Sequence, residues 1–134
     1  MASILIVDDD PTVRLIAREL LIAGDHAITE AANGLEALAI IRAAPVDLVV
    51  LDMLMPRMDG LEVIRELRKA SASVRILAIS SGGRAGALSY LETAKVFGAD
   101  EIMRKPLRLS AFSAAVDRLL TQTSPSANPW NSVA

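Results

Sequence analysis

Two rhythms of apolar and polar positions alternate along this chain. Ile4-Leu5-Ile6-Val7 and Leu48-Val49-Val50-Leu51 are continuous apolar runs without polar alternation, the pattern of strands buried on both faces of a parallel sheet. Arg75-Ile76-Leu77-Ala78-Ile79 reads the same way, and His26 to Glu30 and Glu101 to Arg104 are weaker versions. Between these runs the apolar positions recur at helical spacing. Val13, Ile16, Ala17 and Leu20 share one face after Asp10-Pro11, a cap and first-turn pair; Gly24 is expected to stop that helix. Ala37, Leu38 and Ile41 follow Asn33-Gly34, and Leu61, Ile64 and Leu67 supply a third stripe before a polar turn at Ser71 to Ser73. A fourth helix is expected over Leu88 to Phe97, stopped by Gly98. A fifth is expected after a Ser110 cap, carrying Phe112, Val116 and Leu119.

Strand and helix thus alternate five times. Right-handed crossovers then demand a doubly wound α/β sandwich of three layers, with one parallel sheet between two layers of helices. The expected strand order is 2-1-3-4-5, which sets the first and third strands side by side where the winding reverses, the place where ligands gather in such sheets. Residues 1–122 form the domain. Residues 123–134, rich in Ser, Pro and Asn and lacking periodicity, read as a flexible tail, with Trp130 as a candidate contact for another surface.

Composition narrows the chemistry. The apolar fraction is 52% with only 3% aromatic residues, so the core is built from Ile, Leu, Val and Ala. A net charge of −2 with scattered basic residues gives no footprint for direct nucleic-acid binding. The chain has no cysteine, and His26 is its one histidine; zinc enzymes are excluded on ligand count. His26 itself reads as structural. No basic leader and no membrane-length apolar run occur in the sequence, so a cytoplasmic protein without membrane insertion is expected.

The polar residues that end the strands carry the remaining signal. The first strand delivers Asp8 and Asp9, the third delivers Asp52, the fourth Ser80, and the fifth Lys105, all at one edge of the sheet. Three carboxylates crowded into a partly buried site cannot all stay ionised unless a cation sits among them. All-oxygen ligands point to a hard divalent ion, best Mg2+ with several of its waters. Lys105 and such an ion together neutralise the three acids. A phosphoryl group could then be received on Asp52, with Ser80 donating to one of its oxygens. Asp10 reads as a helix cap rather than a ligand.

These residues resemble the receiver domains of two-component response regulators. The matching segments are I-L-I-V-D-D-D-P, L-D-M-L-M-P-R-M-D-G, A-I-S-S and R-K-P-L, each at a strand end and in the family's order, over about residues 3–121. The resemblance implies a flavodoxin-like (βα)5 fold, Asp52 as phosphoacceptor, and Asp8, Asp9, Asp52 and the backbone carbonyl of Leu54 as Mg2+ ligands. It further implies Ser80 as switch hydroxyl, Lys105 as phosphate-binding cation and a cis bond at Pro106. The partners implied are a sensor histidine kinase or a histidine phosphotransfer protein, with a downstream protein target. A stand-alone receiver is expected, one that catalyses its own phosphorylation and dephosphorylation at Asp52 and is not expected to turn over a separate substrate.

Two features depart from the family pattern. Ile102 stands three residues before Lys105, where receivers often carry Tyr or Phe, and Gly82 to Gly86 lengthens the segment after Ser80. Output is therefore expected through that loop and the fourth helix. Two other classes compete: a pseudo-receiver that only binds proteins, against which the intact acid set with Lys105 argues, and an FMN-binding protein of the same architecture. Strand-end acids would repel the FMN phosphate.

Overall fold

The computed structural model describes residues 2–55, 60–70, 73–81 and 85–121, with 81 and 85–90 as backbone. Its order is β1 (Ser3–Val7), α1 (Pro11–Leu21), β2 (Ala27–Ala31), α2 (Gly34–Ala43), β3 (Leu48–Asp52), α3 (Gly60–Ala70), β4 (Arg75–Ser81), α4 (Ala85–Phe97), β5 (Glu101–Lys105) and α5 (Leu109–Thr121). All pairings are parallel and the sheet order is β2-β1-β3-β4-β5. That is the expected flavodoxin-like arrangement. The register sets Val7 beside Leu51 and Ser81 beside Lys105, so the polar residues that follow or end these strands come out together at one edge.

The unbroken apolar runs are explained by burial on both sides. Ile4, Ile6, Leu48, Val50, Leu77 and Ile79 pack with Ala17, Leu21, Phe112 and Val116 of α1 and α5. Leu5, Val7, Val49, Leu51, Ile76 and Ala78 form the opposite core with α2, α3 and α4. Every residue of β3 is buried, as its lack of alternation requires.

Several local expectations are corrected. The buried side of α1 is centred on Ala17 and Leu21, leaving Ile16 43% exposed, because the helix docks on the sheet along a line one residue further on. Gly24 does not end α1. The helix ends at Leu21, a 3-10 turn carries the chain through Gly24, and Asp25 makes the reversal at φ 56°. The absent side chain at Gly24 makes room for the His26 ring, whose Nε2 would stand 2.5 Å from a Cβ there. Ser110 lies inside α5 rather than capping it, since the Phe112 amide already bonds the Arg108 carbonyl at 2.8 Å. Helix α4 begins at Ala85, earlier than its apolar stripe suggested. The loop at Pro56 to Asp59, the turn residues 71 and 72, Gly82 to Arg84 and the tail from 122 onward lie outside the described residues. Among the described residues, no helix is long and apolar enough to cross a membrane.

Candidate functional site

The switch point between β1 and β3 delivers the acids. Asp8 follows the last residue of β1 and is fully buried; Asp52 ends β3 and is 2% exposed. Asp9, next in the turn, is exposed. One carboxylate oxygen from each of Asp8, Asp9 and Asp52 lies within 4.8 Å of the others. Asp10 takes no part in this cluster: its side chain caps α1 by accepting from the Thr12 amide at 2.9 Å, as expected. Its own amide donates to Asp8 Oδ1 at 2.9 Å, which ties the cap to the buried acid.

Lys105 closes the cluster from the end of β5. Its ammonium lies 2.8 Å from Asp8 Oδ2 and 3.5 Å from Asp52 Oδ1, and the Lys105-Pro106 peptide that follows is cis. Ser80, fully buried on β4, has a hydroxyl oxygen with no hydrogen-bond partner. An unmatched buried hydroxyl beside clustered acids is costly in a finished core and natural in a site built to receive an oxygen-rich group. The Leu54 amide donates to Asp52 Oδ1 at 3.2 Å, while its side chain stands 48% exposed at the mouth.

Electrostatics make this the most perturbed place among the described residues. Burial and the neighbouring Asp8 push the Asp52 carboxyl up to about 7, against the smaller opposing pulls of Lys105 and the Leu54 amide. Burial works against the charge of Lys105, yet its bond to Asp8 and the field of Asp52 hold it above the ordinary lysine value. The acids therefore lack enough positive charge of their own. An all-oxygen donor set with unmet negative charge fits a hard divalent cation that keeps most of its waters.

Some contributors carried no sequence signal. Gly60 starts α3 directly against the residue after Asp52: its amide bonds the Met53 carbonyl at 3.2 Å, and a Cβ there would stand 2.6 Å from Met53 Cα. Only its pairing with Asp59 as a turn element was visible in the chain. Arg14 also reaches the acid turn at the Asp8 carbonyl while pairing with Glu30 of β2, contacts that depend on how α1 is set against the sheet. Ile102, the residue that replaces an aromatic, packs on the core beneath α4.

The chain matches the family model described as the response regulator receiver domain over residues 4–117. It is 38% identical over 126 residues to response regulator MprA of Mycobacterium sp. (strain KMS), covering 94% of this chain and 54% of that protein. The chain spans about half the length of such curated relatives. Among solved structures, the receiver domain of NtrX from Brucella abortus superposes with a TM-score of 0.84 at 27% identity, covering 90% of this chain and 100% of that one. A putative response regulator from Chloroflexus aurantiacus gives 0.83 at 27%, covering 90% and 98%.

Proposed function

Since this chain belongs to the response regulator receiver domain family, we propose that Asp52 accepts a phosphoryl group from a phosphohistidine on a sensor kinase or histidine phosphotransfer protein. The observation that carries the reading is the convergence of Asp8, Asp9, Asp52 and Lys105, with the unpartnered Ser80 hydroxyl, at one sheet edge. A carboxylate oxygen of Asp52 attacks phosphorus, the P–N bond to the donor imidazole breaks, and the leaving nitrogen keeps the electron pair. Lys105 is positioned to neutralise the transferring oxygens, and Ser80 to donate to one of them once the group has arrived. Asp8, Asp9, Asp52 and the Leu54 carbonyl would hold Mg2+, which when bound supplies the positive charge that keeps Asp52 ionised and balances the phosphoryl oxygens. Hydrolysis of the acyl phosphate returns Asp52 to its starting state.

Phosphorylation adds charge and acceptors where Asp52 stood, and drawing Ser80 inward moves the chain that follows β4. The signal is then read as a protein contact at α4, because Ile102 offers only a small packing change. Protein targets are favoured over nucleic acid by the scatter of the basic residues and the net charge of −2, and five of the arginines are engaged within the chain: Arg14 and Arg18 pair with Glu30, Arg68 and Arg75 with Asp100, and Arg118 with Glu101.

Incubation with Mg2+ and a small acyl phosphate, followed by intact mass, tests the reading. Wild type should gain one phosphoryl group only with Mg2+, and Asp52→Asn should gain none. Equal labelling of that variant would place the acceptor elsewhere, and an unlabelled wild type that binds Mg2+ would favour the pseudo-receiver.

A further inference from the structure

Arg14 stands in the first turns of α1, outside the acid cluster, and its guanidinium forks between two elements. Nη1 donates to the backbone carbonyl of Asp8 at 2.6 Å, and Nε donates to Glu30 Oε1 on β2 at 3.0 Å. The other Glu30 oxygen accepts from Arg18 Nε at 2.8 Å, and Arg18 Nη2 reaches the Ile28 carbonyl at 3.3 Å. Arg14 is largely covered, with 17% of its side chain exposed. The hydrogen bond from Arg18, and after it the one from Arg14, holds the Glu30 carboxyl below the usual range against the cost of its partial burial. Glu30 therefore keeps its charge, and its hold on both arginines, at neutral pH.

We propose that Arg14, held by Glu30, is a positioning residue that fixes the turn Asp8-Asp9-Asp10 in its metal-facing form and so sets the affinity for Mg2+. The proposal rests on the reading of Asp8, Asp9 and Asp52 as the metal-binding acids. Asp8 is anchored at its amide by the Ala31 carbonyl at 3.1 Å and at its carboxylate by the Asp10 amide. The oxygen of the Asp8-Asp9 peptide is anchored by Arg14. Asp9 is exposed, so the tilt of that peptide plane decides whether its carboxylate points at the cluster. Glu30 has a second effect. Without its partner, the Arg14 cation would be free to swing onto the Asp9 carboxylate and compete with the metal. Outer partners of metal ligands act in this way, orienting them without touching the ion.

The test uses the full chain and Mg2+ alone, titrated by calorimetry, beside unfolding temperature in EDTA. Arg14→Met should weaken Mg2+ binding about 10-fold and speed exchange of the Asp10 amide in the metal-free protein. Glu30→Gln should move both readouts the same way, and Arg14→Lys should fall between, because it keeps the charge but not the fork. Uptake from a small acyl phosphate should recover at saturating Mg2+ in all three. Unchanged Mg2+ affinity in Arg14→Met and Glu30→Gln, with only a lower unfolding temperature, overturns the proposal by leaving the clamp a structural role. If wild type binds Mg2+ but takes no phosphoryl group, the phosphoacceptor reading fails while the calorimetric comparison still decides the role of Arg14.

Discussion

Asp52 should make the metal-free protein less stable, and replacing it should show by how much. Its carboxyl is 2% exposed and is pushed from an ordinary 3.8 up to about 7 by burial and by Asp8. The folded state therefore holds a proton that the unfolded chain has already released between these two values. Bound protons on the folded side mean that stability falls as pH rises through this window, and that the full cost is present above it. A separation of about 3 pH units at about 1.4 kcal/mol each gives an upper bound of about 4 kcal/mol. Relaxation and water penetration around the buried charge reduce this, so about 2–3 kcal/mol is expected at pH 8. Asp52→Asn is uncharged and keeps an acceptor for the Leu54 amide. In EDTA it should match wild type near pH 3, below the ordinary carboxylate value, and exceed it by that amount at pH 8, a rise in unfolding temperature of roughly 6–12 °C for a domain of this size. Mg2+ should narrow the gap, because the ion stabilises only the protein that has the full acid set. Denaturant melts at both pH values, with and without Mg2+, measure it. A variant no more stable than wild type at pH 8, or a gap independent of pH, would refute the argument that burial and Asp8 strain this carboxylate.

Leu54→Asn should shorten the lifetime of the phosphorylated form, followed by loss of the label after the donor is removed, because the half-exposed leucine at the mouth offers no group to orient an attacking water; a longer lifetime would contradict this. Gly60→Ala should destabilise the fold by about 1–3 kcal/mol, since its methyl would meet the Met53 backbone as well as the Met53 thioether, and only the thioether can yield; it should also slow uptake on Asp52 as β3's end is displaced. Melting curves and initial labelling rates check both effects, and an unperturbed alanine variant would mean that the contact relaxes freely. Amide exchange with a phosphate mimic at Asp52 should change protection in residues 85–91 of α4, and a change confined to β5 and α5 would reject α4 as the reading surface.

Read from the chain alone, the unbroken runs Ile4 to Val7 and Leu48 to Leu51 suit strands covered on both faces better than half-solvated ones. Five alternations of strand and helix then left one economical winding, with Asp8 and Asp52 at its reversal. That inference is secure because burial periodicity and crossover handedness act on every residue of an element at once. The chemistry at strand ends was legible for a related reason: once the strands are parallel, their last residues must meet. What tertiary structure alone decided depends on distances between elements that no local pattern encodes. Lys105 lies nearer Asp8 than Asp52, and the Ser80 hydroxyl is left without a partner where β4 runs past the end of β3. Helix α1 turned by about a residue buries Ala17 and exposes Ile16. The same placement carries Arg14 across to Glu30 and the Asp8 carbonyl. Sequence separation gives no hint of such a contact, because a long side chain bridging two elements obeys neither the helical nor the strand period. Only the packed layers determine what it can reach.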